Sequence, residues 1–262
     1  DKANFVISAL SGHLGGANSL ATELSTFFEG SKAVITTAAD VNQTIAVDIL
    51  GRALGWTIDG YDTVTPVSAC MVNEMPIGLY QDSGERNWLS TKSLPRNVKP
   101  LLGRDDLKST EFLAGLVITD RILRDRESSS KSVIYRPKSL VVGIGMHLDT
   151  SKETIESAIL QVFKENCLSF KSIRNLATIE NKAGARGLLD FSRSYQIPIE
   201  AFNDDQLSRI HVPNPSELVG RFQGTKSVAE AAALLSSSGD LVVPKLKFPP
   251  DLTLSVARME FK

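Results

Sequence analysis

The chain has 262 residues and a formal net charge of −1, with 42% hydrophobic and 23% charged residues. These proportions are ordinary for a globular protein, and the near-neutral charge provides no general attraction to nucleic acid or to an anionic membrane. We also expect neither a membrane-spanning helix, which needs roughly 20 consecutive apolar residues, nor a secretory signal at the start of the chain.

Cysteine usage predicts a reducing compartment. Cys70 and Cys167 lie far apart, without a C-x-x-C pair or a nearby histidine cluster. This spacing argues against a structural zinc site and against a disulfide framework, and it suits the cytoplasm.

The first predicted elements are a strand over residues 4–10 and a helix over residues 17–28, joined by a glycine-rich turn that holds His13. Glycines let the backbone approach a ligand closely, and the N–H groups at a helix start favour negative charge. His13 is the one side chain in the turn that exchanges a proton near neutral pH. The spacing differs from both G-x-G-x-x-G and the Walker pattern, so no nucleotide is indicated.

The local pattern leaves an alternative open. Glycine-rich turns between strand and helix also occur in α/β proteins at places that bind nothing, and a lone histidine is more often structural than catalytic. A second predicted strand over residues 32–37 ends near Thr36, Thr37 and Asp40. Hydroxyl and carboxylate groups at a strand's carboxyl end suit a ligand edge, but they are equally typical of a turn and a helix cap.

The apolar spacing predicts a helix over residues 44–54 and another from Thr65 to just before Pro76. A strand-rich segment follows, with strands at residues 77–80 and 112–118 and a polar loop at 125–131. No chemistry is assigned to this segment.

The second half alternates strands and helices. We expect strands at 139–145, 173–179, 197–199, 241–245 and 252–258, and helices at 152–163, 187–195 and 228–235. The overall prediction is an α/β fold with two α/β domains, each a sheet with flanking helices, joined by a small strand-rich middle region. The expected boundaries are 1–75 for the N-terminal domain, 76–137 for the middle region and 138–262 for the C-terminal domain. Lys182, Lys245 and Arg258 are the best-placed cations for an acidic ligand.

Several stretches together resemble the cobalt-precorrin-5A hydrolases (CbiG) of anaerobic cobalamin biosynthesis. The most specific is Leu-Ser-Gly-His-x-Gly-Gly-Ala-Asn, from Leu10 to Asn18, followed by Val-Ile-Thr-Thr-Ala-x-Asp, from Val34 to Asp40. Weaker matches run through the second half at residues 142–145, 177–182, 227–233, 243–245 and 256–258.

The resemblance implies hydrolysis of a δ-lactone on a cobalt-corrinoid, with loss of a two-carbon unit as acetaldehyde. For this chemistry, our hypothesis is that His13 is the general base or leaving-group acid and that Asp40 orients it. Substrate-binding residues implied in the N-terminal part are Ser11, Gly12, Gly15, Gly16, Ala17, Asn18, Thr36 and Thr37. Those implied in the C-terminal part are Gly143, Gly145, Lys182, Glu230 and Lys245. No cofactor and no protein metal site are expected, because the cobalt travels with the substrate.

Two departures from the family pattern stand out. Family members continue Gly-Ile-Gly with Cys-Arg-Arg-Gly, whereas this chain has Met146-His147-Leu148-Asp149, and they carry several dozen residues before the glycine-rich motif. We therefore expect that an upstream segment is missing. If those arginines hold substrate carboxylates, we also expect that this protein binds its substrate differently or has lost that contact.

Two other functions stay open at this point. One is a non-catalytic corrinoid-binding protein that hands on an intermediate of the same pathway. The other is a sugar-phosphate isomerase or similar phosphate-ester binder that uses the glycine-rich turn. The expected partners are the cobalt-corrinoid substrate, neighbouring methyltransferases of the pathway and a second copy of the chain, with neither nucleic acid nor membrane.

Overall fold

The computed structural model describes residues 3–9, 15–42, 44–89, 93–123, 131–213 and 227–261. Its contacts divide the chain into two compact units. Unit 1 comprises Asp1–Asp82, Arg86–Thr119 and Leu123–Arg136, and unit 2 comprises Ser83–Glu85, Asp120–Ile122 and Pro137–Lys262.

Unit 1 begins with a small α/β layer. Its elements in chain order are β1 (Phe5–Ser8), α1 (Ala17–Thr26), β2 (Lys32–Ile35) and α2 (Ala38–Val41). The two strands pair in parallel, with Ser8 opposite Ile35, and α1 packs against both strands. The two strands and the helix predicted from the sequence are confirmed here, whereas residues 10–14 of the predicted turn lie outside the described residues.

The helix predicted over residues 44–54 is wrong. The described part of this stretch holds turns and a single short 3-10 helix, Arg52–Leu54. Two glycines explain the difference, because Gly51 has φ 73° and Gly55 has φ 74°, both in the left-handed region. A Cβ at Gly51 would lie 2.0 Å from the Trp56 ring, so the chain folds back tightly over that indole.

A second sheet completes unit 1. Its elements are β3 (Thr57–Ile58), α3 (Val64–Val72), β4 (Ile77–Gln81), β5 (Val98–Pro100), β6 (Ala114–Ile118) and β7 (Ser132–Arg136). The strand order is β3-β7-β6-β4-β5, parallel throughout except for β3. Every residue of β6 and β7 is buried, as expected for strands covered on both faces of a parallel sheet.

One hydrophobic core joins this sheet to the preceding helix. Val67 and Met71 of α3 pack in the same cluster as Ile77 and Leu79 of β4. The core therefore spans the boundary that we expected between residues 75 and 76, while the three-part division of the chain stays a prediction.

Unit 2 is a single five-stranded sheet with helices on both faces. Its strands are β8 (Leu140–Met146), β9 (Ile173–Ile179), β10 (Ile199–Phe202), β11 (Asp240–Phe248) and β12 (Leu252–Arg258), in the order β10-β9-β8-β12-β11. The described helices are α4 (Lys152–Glu165), α5 (Glu180–Ala183), α6 (Arg186–Tyr195), α7 (Asp204–Ser208) and α8 (Val228–Ser237). The first three strands are parallel, and β12 and β11 add in antiparallel fashion.

The central strand β8 is buried on both faces. Val142 and Ile144 pack with α4 and α6 in one core, whereas Val141 packs with α8 in another. This alternation is the period of two that a strand imposes. The predicted α/β class, with sheets flanked by helices, is thus confirmed. No helix in the described ranges is long and apolar enough to cross a membrane.

Candidate functional site

Four side chains at the carboxyl ends of β1 and β2 form what we call the N-terminal polar cluster: Ser8, Asn18, Thr36 and Thr37. The Ser8 hydroxyl donates to Asn18 Oδ1 at 2.6 Å, and Asn18 Nδ2 donates to Thr37 Oγ1 at 2.7 Å. Thr36 Oγ1 donates to the backbone carbonyl of Ser8. Three of these residues were predicted from the sequence, and the structure brings them together.

The glycine-rich turn gives α1 its position. Gly16 precedes the helix with φ 74°, and a Cβ there would meet no atom within 4 Å, so the conformation rather than lack of space favours glycine. Gly15 is exposed in the turn, and Ala17 and Asn18 are the first two residues of α1. The first N–H groups of a helix have no acceptor within it, and the helix dipole makes this end favourable for an anion.

Some predicted site residues lie outside the described part of the chain. These are Ser11, Gly12 and His13, together with the side chain of Asp40, whose backbone belongs to α2. Their proposed roles stay predictions.

The cluster has a definite direction of hydrogen bonding. Thr36 directs its proton to Ser8, whereas Thr37 accepts from Asn18 and keeps its own proton for another acceptor. Thr37 is only half-buried, so a ligand oxygen can reach it. The arrangement can hold a carboxylate, or an oxygen that gains negative charge, between the Thr37 hydroxyl and the start of α1.

Sequence reasoning missed Ser8 as a member of this site. Its signal was present, since a polar residue ends an otherwise apolar strand just before the glycine-rich turn. Its contact with Asn18 depends on the return of the chain through α1, which no local pattern shows.

In unit 2, the predicted glycines of β8 lie against α8. A Cβ at Gly143 would lie 1.9 Å from the Ala229 carbonyl oxygen, so this glycine lets the helix pack directly on the strand. Gly145 is partly exposed, and a Cβ there would lie 2.6 Å from Thr253 Oγ1. Gly143 therefore has a packing role, and its substrate-binding role stays a prediction.

Glu230 and Lys245, both predicted, are neighbours. Glu230 is completely buried in the first turn of α8, and its Oε1 accepts from the backbone N–H of Lys245 at 3.0 Å. Partial burial lowers the pKa of the Lys245 amine, with Glu230 opposing the shift and Lys247 adding to it. Glu230 thus holds the strand that carries Lys245 in place, and the Lys245 amine is the group that can offer positive charge to an acidic ligand.

The other two predicted cations differ in their surroundings. Lys182 lies in α5, immediately beyond the carboxyl end of β9, and is half-buried. Arg258 pairs with the fully buried Asp120, with Nε and Nη2 each 2.7 Å from a carboxylate oxygen. Ser139 also donates to Asp120, so Arg258 belongs to a buried structural network.

The segment that departs from the family pattern follows β8. His147 is exposed, with Nδ1 3.5 Å from Asp251 Oδ1, and its backbone N–H donates to the Asp251 carbonyl at 3.0 Å. Leu148 is 58% exposed. Among the described residues, no group of three or more histidine, cysteine, aspartate or glutamate side chains could hold a metal ion.

Comparisons with known proteins cover nearly the whole chain. Three family profiles match consecutive stretches: cobalamin synthesis G N-terminal over residues 1–40, cobalamin biosynthesis central region over 45–137, and cobalamin synthesis G C-terminus over 140–257. A cobalt-precorrin-5A hydrolase of Priestia megaterium is 37% identical over 264 residues, covering 100% of this chain and 70% of that protein. A second one, of Salmonella typhimurium, is 28% identical and covers 94% of this chain and 70% of that protein.

A solved structure also matches part of the chain. The crystal structure of CobE, a protein from the cobalamin (vitamin B12) biosynthetic pathway, is 26% identical, with a TM-score of 0.44. The match covers 46% of this chain and 93% of that one.

Proposed function

The chain belongs to the cobalamin synthesis G (CbiG) family, and on that premise we propose that it is a cobalt-precorrin-5A hydrolase. The observation that carries the proposal is the 37% identity to a cobalt-precorrin-5A hydrolase across the whole chain. The N-terminal polar cluster supports it, because hydrolysis of a lactone needs a site that stabilises a developing oxyanion.

In the proposed reaction, water adds to the carbonyl carbon of the δ-lactone, and the acyl C–O bond then breaks. The ring-A acetate is released as a carboxylate, and the meso carbon is left carrying a hydroxyl group. When this hydroxyl loses its proton and becomes the aldehyde C=O, the C–C bond between the meso carbon and the ring breaks, the ring keeps the electron pair and takes up a proton, and the two-carbon unit leaves as acetaldehyde. The negative charge that builds on the carbonyl oxygen faces the Thr37 hydroxyl and the N–H groups at the start of α1. Asn18 holds the Thr37 hydroxyl in place through its 2.7 Å hydrogen bond.

Water must lose a proton as it attacks, and the leaving oxygen must gain one. We assign this proton transfer to His13, because histidine is the residue type most often used as a general acid or base, and the orientation of His13 to Asp40. Ser11 and Gly12 are assigned to substrate binding in this proposal.

The corrinoid substrate carries many carboxylates, which need cations to hold them. Lys245 and Lys182 in unit 2 supply this charge in the proposal, and Gly145 of β8 is a further substrate-binding residue. The cobalt enters as part of the substrate, and the proposed reaction needs no resident cofactor.

The alternative is a corrinoid carrier without catalysis. The observation that favours it is the segment Met146-His147-Leu148-Asp149, which replaces the two arginines of the family pattern with an exposed histidine and leucine. If those arginines hold substrate carboxylates, their loss lowers the rate of turnover more than it lowers the affinity for the corrinoid.

An anaerobic incubation with cobalt-precorrin-5A separates the two functions. A hydrolase releases one acetaldehyde per corrinoid consumed, and His13→Ala lowers turnover by about 100-fold if His13 transfers the proton. A carrier binds the corrinoid and releases no acetaldehyde. Phosphosugars serve as control ligands, because stabilisation by these compounds alone would contradict both functions.

The remaining assignments of this proposal concern the surroundings of the reaction. We assign it to the cytoplasm, which suits two free cysteines, Cys70 and Cys167. Interaction with neighbouring methyltransferases and formation of a homodimer stay predictions, and size-exclusion chromatography with light scattering tests the second.

A further inference from the structure

Ser8 is too deeply buried to contact a ligand directly, yet its hydroxyl makes a specific hydrogen bond that packing alone does not require. It is the last residue of β1, it is 4% exposed, and its hydroxyl lies 2.6 Å from Asn18 Oδ1. A serine so deeply buried must direct its proton to an internal acceptor, and here that acceptor is the amide oxygen of Asn18.

The bond from Ser8 fixes which way the Asn18 amide faces. With Oδ1 held by Ser8, the amide turns its NH2 group toward Thr37, and Nδ2 donates to Thr37 Oγ1 at 2.7 Å. Thr37 is therefore an acceptor inside the protein, and its own O–H remains a donor. If the amide were reversed, its oxygen would accept the Thr37 proton, and the donor would be lost to the ligand.

The backbone of Ser8 acts on the neighbouring threonine in a complementary way. The Ser8 carbonyl accepts the Thr36 hydroxyl, which commits that proton to the interior. Ser8 thus binds both arms of the cluster, and of its three described hydroxyl groups only that of Thr37 keeps its proton for an acceptor outside the cluster.

We propose that Ser8 is a positioning residue, which sets the Asn18 amide so that the Thr37 hydroxyl donates to the oxygen that becomes negative during lactone opening. This inference rests on the proposed hydrolase function. Ser8 never touches the substrate, and its effect passes through Asn18 to Thr37.

The test compares steady-state kinetics of Ser8→Ala, Ser8→Thr and Asn18→Asp with those of the wild-type protein. Ser8→Ala should lower kcat about tenfold with little change in KM, because the Thr37 donor is then held less firmly for an oxygen that becomes negative only in the transition state. Ser8→Thr keeps the hydroxyl and should restore kcat. Asn18→Asp should fold, because aspartate has nearly the same shape as asparagine and a negative charge is favourable in the first turn of α1. Both of its carboxylate oxygens are acceptors, so Thr37 must donate its proton to the aspartate and can no longer donate to the substrate. We expect kcat to fall about 100-fold in that variant, the scale of losing an oxyanion donor.

Ser25→Ala is the matched control, because Ser25 makes only a hydrogen bond to the Thr22 carbonyl along α1. It should leave kcat and KM unchanged. Wild-type kcat in both Ser8→Ala and Asn18→Asp would overturn the inference while leaving the hydrolase function intact.

A second readout does not depend on turnover. The side-chain amide resonances of Asn18, followed by nitrogen–proton correlation spectra, should shift in Ser8→Ala and stay in place in Ser25→Ala. Unshifted Asn18 resonances in Ser8→Ala would overturn the positioning role. If the wild-type protein releases no acetaldehyde, the hydrolase function fails, and these spectra still decide whether Ser8 orients the amide.

Discussion

Asn18 in the first turn of α1 donates its side-chain amide to the hydroxyl of Thr37, just beyond β2, at 2.7 Å. The two residues are 19 positions apart. They come together because α1 connects β1 to β2 and the two strands pair side by side in parallel. Because Thr37 accepts this bond, its own hydroxyl proton is kept for another acceptor, and it gives the candidate site its donor.

Thr37→Val should impair catalysis more than folding. Valine keeps the shape of threonine and removes only the hydroxyl, so we expect kcat to fall by about 100-fold, as for an oxyanion-hole donor. Thr36→Val is the matched control, because the Thr36 hydroxyl is committed to the Ser8 carbonyl. That change should lower the free energy of unfolding by about 1 kcal/mol, and it should reduce kcat much less than Thr37→Val does. Equal kcat losses in the two variants would contradict the assignment.

Lys245 should make corrinoid binding depend on pH. Burial lowers the pKa of its amine below the ordinary 10.5, so the amine loses its charge at a lower pH than an exposed lysine does. Affinity for the anionic substrate should therefore fall as pH rises through that lowered pKa. Lys245→Arg should move this fall to higher pH, since the guanidinium stays charged. Titration of corrinoid binding by absorbance against pH measures the effect.

Lys245→Met should weaken binding of the corrinoid several-fold at low salt and less at high salt, because salt screens exposed charges. Lys164→Met removes the same charge from the exposed end of α4 and serves as control. A salt-independent loss in Lys245→Met would indicate a packing role for the side chain instead.

Gly143→Ala should destabilise unit 2. The added Cβ would meet the Ala229 carbonyl oxygen at 1.9 Å, and α8 must move away from the sheet to admit it. Overpacking of this kind costs about 1–3 kcal/mol, so the melting temperature should drop by several degrees. Gly184→Ala is the control, because a Cβ at Gly184 meets no atom within 4 Å and its φ of −85° suits alanine. Melting temperatures equal to that of the wild type in both variants would contradict the packing role of Gly143.

Asp120→Ala should be the most destabilising of these changes. It leaves the Arg258 guanidinium without its bidentate partner and removes the acceptor of Ser139. Breaking a buried ion pair from one side costs about 3–5 kcal/mol. Urea unfolding followed by circular dichroism measures the loss, and the Asp120→Ala/Arg258→Met double variant should recover part of it. A double variant no better than Asp120→Ala would argue against a coupled pair.

The sequence predicted most of unit 2 because its signals are local. The strand over β8 is a continuous apolar run, and Ser151 caps α4 as expected, accepting from the Thr154 N–H. The failure at residues 44–54 is local as well, since apolar spacing alone ignored the left-handed turns at Gly51 and Gly55.

The site was predicted only as far as its residues were close in sequence or carried a family motif. Asn18, Thr36 and Thr37 fall in such motifs, whereas Ser8 acts through a contact that only the folded layer creates. The partner of Arg258 is 138 positions away, so composition could suggest a ligand-binding cation but not its buried ion pair.

One measurement tests the hydrolysis most directly. Cobalt-precorrin-5A is converted anaerobically in water enriched in the heavy oxygen isotope, and the mass of the corrinoid product is compared with that formed in ordinary water. Attack of water on the lactone carbonyl predicts one heavy oxygen atom in the product's ring-A acetate, together with release of acetaldehyde. A product that keeps only the original oxygen atoms, or a bound corrinoid that never changes, would contradict the proposed function.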